Sequence, residues 1–341
     1  MRFSLCALLA ISPLPASSYA LRPTLLPSTL RTFSSPTTRT SRLFSTIPRL
    51  DPTSTAPLLD TLDAVIFDCD GVIWRGDTLL PGIPETLDKL RAMGKKVFFV
   101  TNNSTKSRKG YKAKFDGLGL SIQSHEILSS SFAAAAYLSQ TKFTEKNPGK
   151  KVYVIGEKGV TEELDEMGIP YTGGPEDEGK VCDMKPGEKV FHDESVGAVI
   201  VGFDRHINYF KIQSAQLILN GDPNCEFIAT NLDAVTHLTD AQEWAGNGAM
   251  VAAIKGCTGR EPTVVGKPGP LMIDYLVESL DLNRDRIAMV GDRLDTDILF
   301  GQDNGLRSVL VLSGVTTEEK LNSKENKIKP DFYCDSIADF F

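Results

Sequence analysis

Two aspartates separated by one residue follow a run of strand-forming side chains in the stretch "AVIFDCDGVIW", residues 64–74. A carboxylate beside buried apolar residues is costly unless a positive charge accompanies it. Side chains at positions i and i+2 of an extended chain point the same way, so Asp68 and Asp70 can face one site. Gly71 frees the backbone to turn, and the amides after Asp68 can form a nest for an anion. The pattern indicates a binding site for charged groups.

Three further polar stretches follow predicted strands in the same way. Thr101 and Asn102 follow a second strand in "TNNS". Lys267 follows a third strand in "VVGKPGP", and Asp292 follows a fourth in "MVGDRLDTDI". Taken singly, each stretch has an ordinary explanation as a turn or a helix cap, and Ser104 is a candidate N-cap. Ligands of open parallel sheets bind beyond the carboxyl ends of the strands, so together the four stretches predict one shared site.

The predicted site combines three carboxylates with one ammonium group and several neutral donors. Carboxylates this close repel one another unless a dication lies among them. Oxygen ligands without histidine or cysteine favour Mg²⁺, which usually completes its shell with water and substrate phosphate. Lys267 fits as a second partner of that phosphate. The sequence therefore predicts a Mg²⁺ site that binds the phosphate group of a substrate.

Alternating β-rich and helical stretches must position these residues, which is typical of a parallel α/β sheet. We predict strands at 64–67, 96–100, 151–155, 197–201, 226–229, 263–265, 286–290 and 308–312, with helices at 84–93, 107–118, 129–138, 160–167, 209–220, 270–280 and 296–303. The predicted architecture is an α/β fold with a Rossmann-like parallel sheet core, residues 60–130 and 262–341. An inserted α/β domain, residues 131–261, interrupts this core.

Charge is unevenly distributed along the 341 residues. Residues 1–50 carry six arginines and neither lysine nor acidic residues, so the net charge of −7 for the whole chain leaves −13 for the remainder. The negative charge of residues 51–341 argues against nucleic acid or an anionic membrane as a partner. Apolar runs stay well short of the ~20 residues needed to span a bilayer. The six cysteines form no CxxC pair, which indicates neither a zinc site nor a disulfide framework.

The first fifty residues have the composition of a targeting segment. Arg2, a short apolar stretch and a small-residue site ending at Ala20 are typical of a signal peptide, and residues 21–50 are rich in Ser, Thr and Arg like a transit peptide. The tandem resembles the bipartite presequences of algae with secondary plastids. We therefore predict that residues 1–50 are cleaved and that the mature chain resides in the plastid stroma. A plain chloroplast transit peptide or a mitochondrial presequence is the alternative.

The four polar stretches resemble the four signature motifs of the haloacid dehalogenase superfamily. The long segment between Thr101 and Lys267 resembles the large cap inserted in one subgroup of its phosphatases, which implies that the inserted domain is a cap. Within the chain, "ATNLDAVTHLTDAQEWAGNGAM", "VVGKP" and "VGDRLDTDILFGQ" closely resemble the plant and algal chloroplast phosphoglycolate phosphatases. The resemblance covers nearly everything from residue 60 to the end and implies an aspartyl-phosphate mechanism.

The resemblance assigns the carboxylates to separate roles. Asp68 is expected to be the nucleophile that attacks phosphorus. Asp70 is expected to protonate the leaving oxygen and then to activate the water that releases phosphate. Asp68, the backbone carbonyl of Asp70, and Asp292 are expected to bind Mg²⁺. The sequence leaves two roles open for Asp297: it orients metal-bound water, or it caps the final helix.

The resemblance also implies how the substrate is held. Thr101, Asn102 and Asn103 are expected to bind the phosphoryl oxygens, and Lys267 is expected to offset the charge of nucleophile and phosphate. His237 corresponds to a substrate-facing histidine in relatives that act on pyridoxal phosphate, although an isolated loop histidine is more often solvated. A substrate carboxylate needs a cation from the cap, and the candidates there are Lys158, Lys180, Lys185, Lys189 and Arg205.

These expectations combine into one predicted activity. The chain is expected to be a Mg²⁺-dependent phosphomonoester hydrolase that converts 2-phosphoglycolate to glycolate and phosphate, the entry step of photorespiration. The alternative is a phosphatase for pyridoxal phosphate or for several small phosphomonoesters. Relatives dimerise through the cap, so a homodimer is expected as well.

Overall fold

The computed structural model describes residues 47–191, 193–236 and 242–341. These residues belong to a unit that extends from Thr46 to Phe341. The predicted presequence therefore lies almost entirely outside the described residues, and its cleavage and destination stay predictions. None of the described helices is long and apolar enough to cross a bilayer.

Short strands and helices alternate along the described chain. The strands are β1 (Ala64–Phe67), β2 (Trp74–Arg75), β3 (Thr78–Leu79), β4 (Lys96–Thr101), β5 (Ile127–Ser129), β6 (Lys151–Ile155), β7 (Tyr171–Gly173), β8 (Val196–Val201), β9 (Glu226–Ala229), β10 (Val235–Thr236), β11 (Trp244–Ala245), β12 (Thr263–Val264), β13 (Ile287–Gly291), β14 (Arg307–Val311) and β15 (Phe332–Cys334). The α-helices are α1 (Pro52–Asp60), α2 (Ile83–Ala92), α3 (Arg108–Gly117), α4 (Ser130–Gln140), α5 (Phe143–Lys146), α6 (Lys158–Glu166), α7 (Tyr209–Gly221), α8 (Asn247–Thr258), α9 (Leu271–Leu280), α10 (Leu299–Asp303) and α11 (Glu318–Asn322).

The first sheet is parallel, and its strands come from residues 64–129 and 287–334. Its strand order is β15-β14-β13-β1-β4-β5. All side chains of β1 are buried, as expected for a strand covered on both faces. The chain proceeds outward from β1 on one side and from β13 on the other, so the topological switch point lies between these strands. Asp68 follows β1 and Asp292 follows β13, which brings the two carboxylates to this point.

The second sheet is also parallel, in the order β12-β9-β8-β6-β7. We refer to β6–β12 with α5–α8 as the second-sheet unit. The two parallel sheets confirm the predicted α/β fold class. The placement of the strand at 263–265 is corrected, since β12 pairs with β9 of the second sheet and not with the first sheet. Lys267 therefore reaches its position from the edge of the second sheet. The predicted boundaries at 131 and 261 stay a prediction.

One buried apolar cluster contains side chains of both sheets. It includes Ile66 of β1, Val154 of β6 and the alanines 133–136 of α4. Helix α4 begins where the Ser129 hydroxyl accepts from the Phe132 amide at 3.2 Å, and its small side chains allow close packing on either side. Burial of this shared surface favours a fixed arrangement of the two sheets.

Residues before α1 extend the first sheet at its edge. The Leu50 amide donates to the Tyr333 carbonyl at 2.7 Å, and the Tyr333 amide donates to the Pro48 carbonyl at 3.1 Å. Leu50 is buried, and Arg49 forms an ion pair with Asp335. Residues 48–50 therefore cover the outer edge of β15, although they fall within the predicted presequence. These contacts show that the folded part of the chain begins before residue 51.

Candidate active site

Lys267 lies at the centre of the site that the four stretches predict. Its ammonium contacts Asp68 Oδ1 and donates to Asp297 Oδ1 at 2.7 Å and to the Val100 carbonyl at 3.0 Å. The side chain is 2% exposed, so water contributes little to stabilising its charge. A buried ammonium requires such acceptors, and two of the three are carboxylates.

Asp68, Asp292 and Asp297 form a buried carboxylate cluster, with one oxygen of each within 4.8 Å of the others. Within the described residues, three carboxylates meet one ammonium here, so the cluster has an excess of two negative charges when all three carboxylates are ionised. Described protein groups donate neither to Asp68 Oδ2 nor to Asp292 Oδ1, so these oxygens are available as ligands. The donor set and the charge excess fit a hard divalent cation such as Mg²⁺.

Two glycines let the backbone approach Asp292 closely. A Cβ at Gly314 would lie 1.9 Å from Asp292 Oδ2, and a Cβ at Gly71 would lie 2.5 Å from the same atom. The Val315 amide donates to this oxygen at 2.7 Å. The backbone thus fixes one oxygen of Asp292, and the other accepts from no described protein donor. Gly71 also has a φ of +82°, in the region that favours glycine.

The electrostatics of the cluster favour cation binding. Burial raises the pKa of Asp68 well above its ordinary value; Lys267 opposes this rise, while Asp297 and Asp292 add to it. Burial, together with the charge of Asp297, raises the pKa of Asp292 to about 7. Burial works against the charge on Lys267, but Asp297 and Asp68 outweigh it and raise the lysine pKa. A dication would stabilise the ionised carboxylates that burial disfavours.

Both oxygens of Asp297 are engaged by protein donors. Oδ1 accepts from Lys267, and Oδ2 accepts from the amides of Asp292 at 3.1 Å and Arg293 at 3.0 Å. These amides precede the helical turn at Leu294–Ile298, which leads into α10. Neither this turn nor α10 has a side-chain N-cap hydrogen bond, so the expected capping role is not observed. Asp297 instead stabilises Lys267 and the backbone between β13 and the helical turn. The contact with Lys267 was not predicted, because spacing along the chain does not relate positions 267 and 297.

Asp70 occupies the exposed rim of the site. The Trp74 indole Nε1 donates to Asp70 Oδ1 at 2.8 Å. Trp74 is fully buried, packs edge-on against Phe115 with ring centroids 4.8 Å apart, and has the Lys114 ammonium 4.4 Å from its ring centroid. The indole is thereby held rigidly and orients the Asp70 carboxylate. Trp74 was not among the predicted site residues, although its position four residues after Asp70 in a tight turn was a usable signal.

Residues at the end of β4 form another wall of the site. The Thr101 hydroxyl accepts from the Asn103 amide at 3.2 Å. Asn103 Oδ1 accepts from the Thr105 amide at 3.0 Å, so this side chain stabilises its own turn. Asn102 is 8% exposed and contacts Lys267 and Asp233. The N-cap of α3 is Ser107, and Ser104 instead accepts from the Phe203 amide at 3.0 Å.

A cavity opens above these groups and is lined by both sheets. Asp68, Asp70, Thr101, Asn102, Asn103, Lys267 and Asp292 line it, so the structure brings together every predicted site residue except His237. His237 lies outside the described residues. Phe203, Asn231, Asp233 and Asn247 line it from the second-sheet unit and were not predicted individually. The stretch "ATNLDAVTHLTDAQEWAGNGAM" contains three of these four and was the available signal.

The cations of the cavity wall differ from those expected. Within the described lining, Lys267 and Arg293 are the basic residues, and none comes from 131–261. Arg205 instead pairs with Glu157 through two 2.7 Å contacts. Arg293 pairs with Asp295 at 2.9 Å. The expected cap cation for a substrate carboxylate is therefore absent from the described cavity wall.

Known proteins share the fold of this chain over most of its length. A family model described as haloacid dehalogenase-like hydrolase matches residues 65–170, and a related HAD-hydrolase-like model matches residues 264–340. The chloroplastic phosphoglycolate phosphatase 1A of Arabidopsis thaliana is 59% identical over 283 residues, which cover 83% of this chain and 77% of the relative. The glycerol-3-phosphate phosphatase of Homo sapiens is 38% identical, over 85% of this chain and 94% of the relative.

A solved structure extends the similarity to three dimensions. The glycerol phosphate phosphatase of Mycobacterium tuberculosis, determined in complex with magnesium, superposes with a TM-score of 0.68 at 26% identity. The match covers 83% of this chain and 78% of that protein. The family matches, the relatives and the shared fold confirm the resemblance inferred from the motifs. The chain belongs to the haloacid dehalogenase-like hydrolases and is a phosphatase of that family.

Proposed function

We propose that the enzyme hydrolyses 2-phosphoglycolate to glycolate and phosphate in a Mg²⁺-dependent reaction. The observation that carries this proposal is the buried contact between Asp68 and Lys267 beside Asp292, at the switch point of the first sheet. The phosphoglycolate phosphatase of Arabidopsis thaliana, at 59% identity, supports the choice of substrate. Phosphate monoesters hydrolyse extremely slowly in water, so most of the acceleration must come from positioned charge.

In the proposed reaction, Asp68 attacks phosphorus in line with the leaving oxygen. A phosphorus–oxygen bond to Asp68 forms as the bond to the glycolate oxygen breaks. Asp70 donates a proton to that departing oxygen and then accepts one from the water that hydrolyses the aspartyl-phosphate. This second attack regenerates Asp68 and releases phosphate. The Trp74 indole holds Asp70 in place for both transfers.

In the proposed reaction, the residues around Asp68 stabilise the negative charges of the carboxylate and of the phosphoryl group. Lys267 lowers the repulsion between the carboxylate and the phosphate dianion. Thr101, Asn102 and Asn103 hold the phosphoryl oxygens through side-chain and backbone donors. Asp68, the backbone carbonyl of Asp70, and Asp292 would hold Mg²⁺, which when bound supplies Lewis-acid stabilisation of the phosphoryl group.

Steady-state kinetics of the purified protein test the proposed function. We expect kcat/KM to be higher for 2-phosphoglycolate than for pyridoxal phosphate or glycerol 3-phosphate, activity to disappear with EDTA, and Mg²⁺ to restore it. Asp68→Asn is expected to lose turnover without losing the fold. A higher kcat/KM for pyridoxal phosphate, or similar values across the panel, would favour the alternative of a pyridoxal phosphate or broad phosphatase. The human relative named for glycerol 3-phosphate keeps that alternative in the test.

The cellular part of the proposal has separate tests. We propose that the enzyme acts in the plastid stroma in photorespiration, in line with the chloroplastic relatives and the Arg- and Ser-rich first fifty residues. A fluorescent protein fused behind residues 1–60 is expected to enter plastids; import into mitochondria would favour the alternative destination. The proposed homodimer through the cap is tested by light scattering of the purified protein.

A further inference from the structure

Asn102, at the end of β4, is held by groups from the second-sheet unit. Its side-chain Nδ2 donates to both carboxylate oxygens of Asp233, over 3.1 and 3.2 Å. Its backbone carbonyl accepts from Asn231 Nδ2 at 2.7 Å. Asp233 and Asn231 lie in the loop between β9 and β10, and the Asp233 amide donates to Asn231 Oδ1 at 3.0 Å. This loop therefore holds both the backbone and the side chain of Asn102.

The Asn102 side chain is paired at the same time with the backbone of Lys267. Oδ1 accepts from the Lys267 amide at 2.8 Å, and Nδ2 donates to the Lys267 carbonyl at 3.1 Å. This pairing exists in one orientation of the amide, because exchanging O and N would oppose donor to donor and acceptor to acceptor. An ionised carboxylate only accepts hydrogen bonds, so Asp233 favours the same orientation.

The position of the Lys267 backbone limits where its ammonium can lie. The ammonium contacts Asp68, and the whole lysine side chain is buried. The preceding Gly266 approaches its neighbours so closely that a Cβ there would lie 2.2 Å from the Thr230 carbonyl and 2.7 Å from Asn102 Oδ1. The loop that carries Lys267 is thus pressed against Asn102 and the end of β9. A change in the orientation of the Asn102 side chain is therefore expected to move the Lys267 backbone, with which it is hydrogen-bonded.

Asp233 needs a role that explains its position. It is an acidic residue in the wall of a cavity for an anionic substrate, where its charge opposes substrate binding. Since both of its oxygens accept from Asn102, that contact offers such a role.

We propose that Asp233 is a positioning residue: it fixes the amide orientation of Asn102, which holds the Lys267 backbone and keeps the Lys267 ammonium on Asp68. The inference rests on the proposed function and adds to it a residue of the second-sheet unit that acts without touching phosphate. Through these contacts, the packing of the second-sheet unit against the end of β4 controls the position of Lys267 beside the nucleophile Asp68.

The variant Asp233→Asn tests this role, because it keeps the shape of the side chain but replaces one acceptor oxygen with an NH₂ donor. That donor can face Asn102 Oδ1, so the variant also permits the flipped orientation of the Asn102 amide. We expect kcat to fall by about 10-fold to 100-fold, as for a modest misplacement of a charged group, with KM changing far less. Asp233→Glu keeps the acceptors and is expected to retain more activity. The matched control is Asp177→Asn, a buried aspartate of the same unit that accepts from the Tyr153 hydroxyl at 2.8 Å, and its activity is expected to stay unchanged.

A double-mutant cycle with Asn102→Ala identifies the route of the effect. If Asp233 acts through Asn102, Asp233→Asn lowers kcat in the natural background and lowers it no further in the Asn102→Ala background. Additive losses would overturn the proposal, since Asp233 would then act on the substrate or on Lys267 by a separate route. Natural kcat in Asp233→Asn would overturn it as well.

Hydrogen exchange of the Lys267 amide, followed by NMR, gives a readout that needs no substrate. Asp233→Asn is expected to speed exchange of this amide, which donates to Asn102, while Asp177→Asn leaves it unchanged. Equal exchange in both variants contradicts the proposal. The kinetic cycle is also run with 4-nitrophenyl phosphate. Turnover of this ester without turnover of 2-phosphoglycolate would overturn the proposed substrate and leave the positioning role measurable.

Discussion

The chemistry of this site depends on contacts between single residues that are far apart in the sequence. Lys267 contacts two carboxylates, Asp68 and Asp297, and removing the lysine would leave both of these buried carboxylates without their ion-pair partner. Asp70 depends on a neutral donor instead, because its partner is the indole of Trp74. Asp70 is exposed on its other side, so that single hydrogen bond is the main restraint on its orientation.

Replacing Trp74 by Phe removes this restraint while keeping an aromatic side chain against Phe115. The loss of one hydrogen bond is worth about 1 kcal/mol, so kcat is expected to fall by roughly fivefold to tenfold. Steady-state kinetics at saturating Mg²⁺ measures the effect. The matched control is Tyr153→Phe, which removes a buried hydrogen bond to Asp177 outside the site and is expected to leave kcat unchanged. Equal kcat in Trp74→Phe and the natural enzyme would show that Asp70 needs no such support.

The parallel strands position the site residues, most of which follow directly after a strand end. β1 and β13 bring Asp68 and Asp292 together because they are neighbours at the switch point of the first sheet. β12 brings Lys267 from the edge of the second sheet, so the two sheets must be assembled before the ion pair can form. The outer edge of β15 is protected in a different way, by residues 48–50.

A truncation comparison tests that edge contact. A chain that starts at residue 51 loses the backbone hydrogen bonds to Tyr333 and the buried Leu50, whereas a chain that starts at residue 47 keeps both. We expect the shorter chain to melt about 2–5 °C lower in differential scanning calorimetry. Arg49→Ala in the longer chain is the control and is expected to have little effect, since its ion pair is solvent-exposed. Equal Tm values for the two chains would show that residues 47–50 add nothing to stability.

At the scale of the whole molecule, the buried carboxylate cluster couples stability to pH, and the proposed Mg²⁺ would take part in that coupling. The pKa of Asp292 is raised to about 7, so the folded state binds this proton more tightly than the unfolded state does. Without metal, the folded protein therefore loses stability as pH rises toward 7. A dication bound to Asp292 would take the place of that proton and remove the penalty, so its stabilising effect is expected to increase with pH.

The corresponding experiment measures Tm with EDTA and with saturating Mg²⁺, below and above pH 7. With EDTA, Tm is expected to fall as pH rises through the range in which Asp292 ionises. The increase in Tm produced by Mg²⁺ is expected to be larger above pH 7 than below it. In Asp292→Asn both trends should weaken, which serves as the control. A Mg²⁺ effect that shrinks as pH rises would contradict the assignment of the cluster as the metal site.

Much of the local structure could be predicted from the sequence. The strands at 151–155 and 226–229 agree with β6 and β9 residue for residue, and α9 differs from its prediction by one residue. Runs of β-branched residues and helical periodicity are local signals, so they identify such elements well. Other elements gave weaker signals, among them α1, α8 and the short strands β2, β3, β10 and β11. The two-residue strands β2 and β3 pair with each other, as do β10 and β11, and strands this short carry too few side chains for a period-2 pattern.

The sequence by itself determined the fold class, the positions of several strands and helices, and the residues able to bind a cation and a phosphate, because spacing and residue type are local properties. The tertiary structure decided which sheet β12 joins, that Asp297 holds Lys267, and that Asp233 faces Asn102. Each of these depends on groups that are distant along the chain. Strand pairing and side-chain contacts of this kind form only when the sheets pack, and no periodicity in the sequence records them.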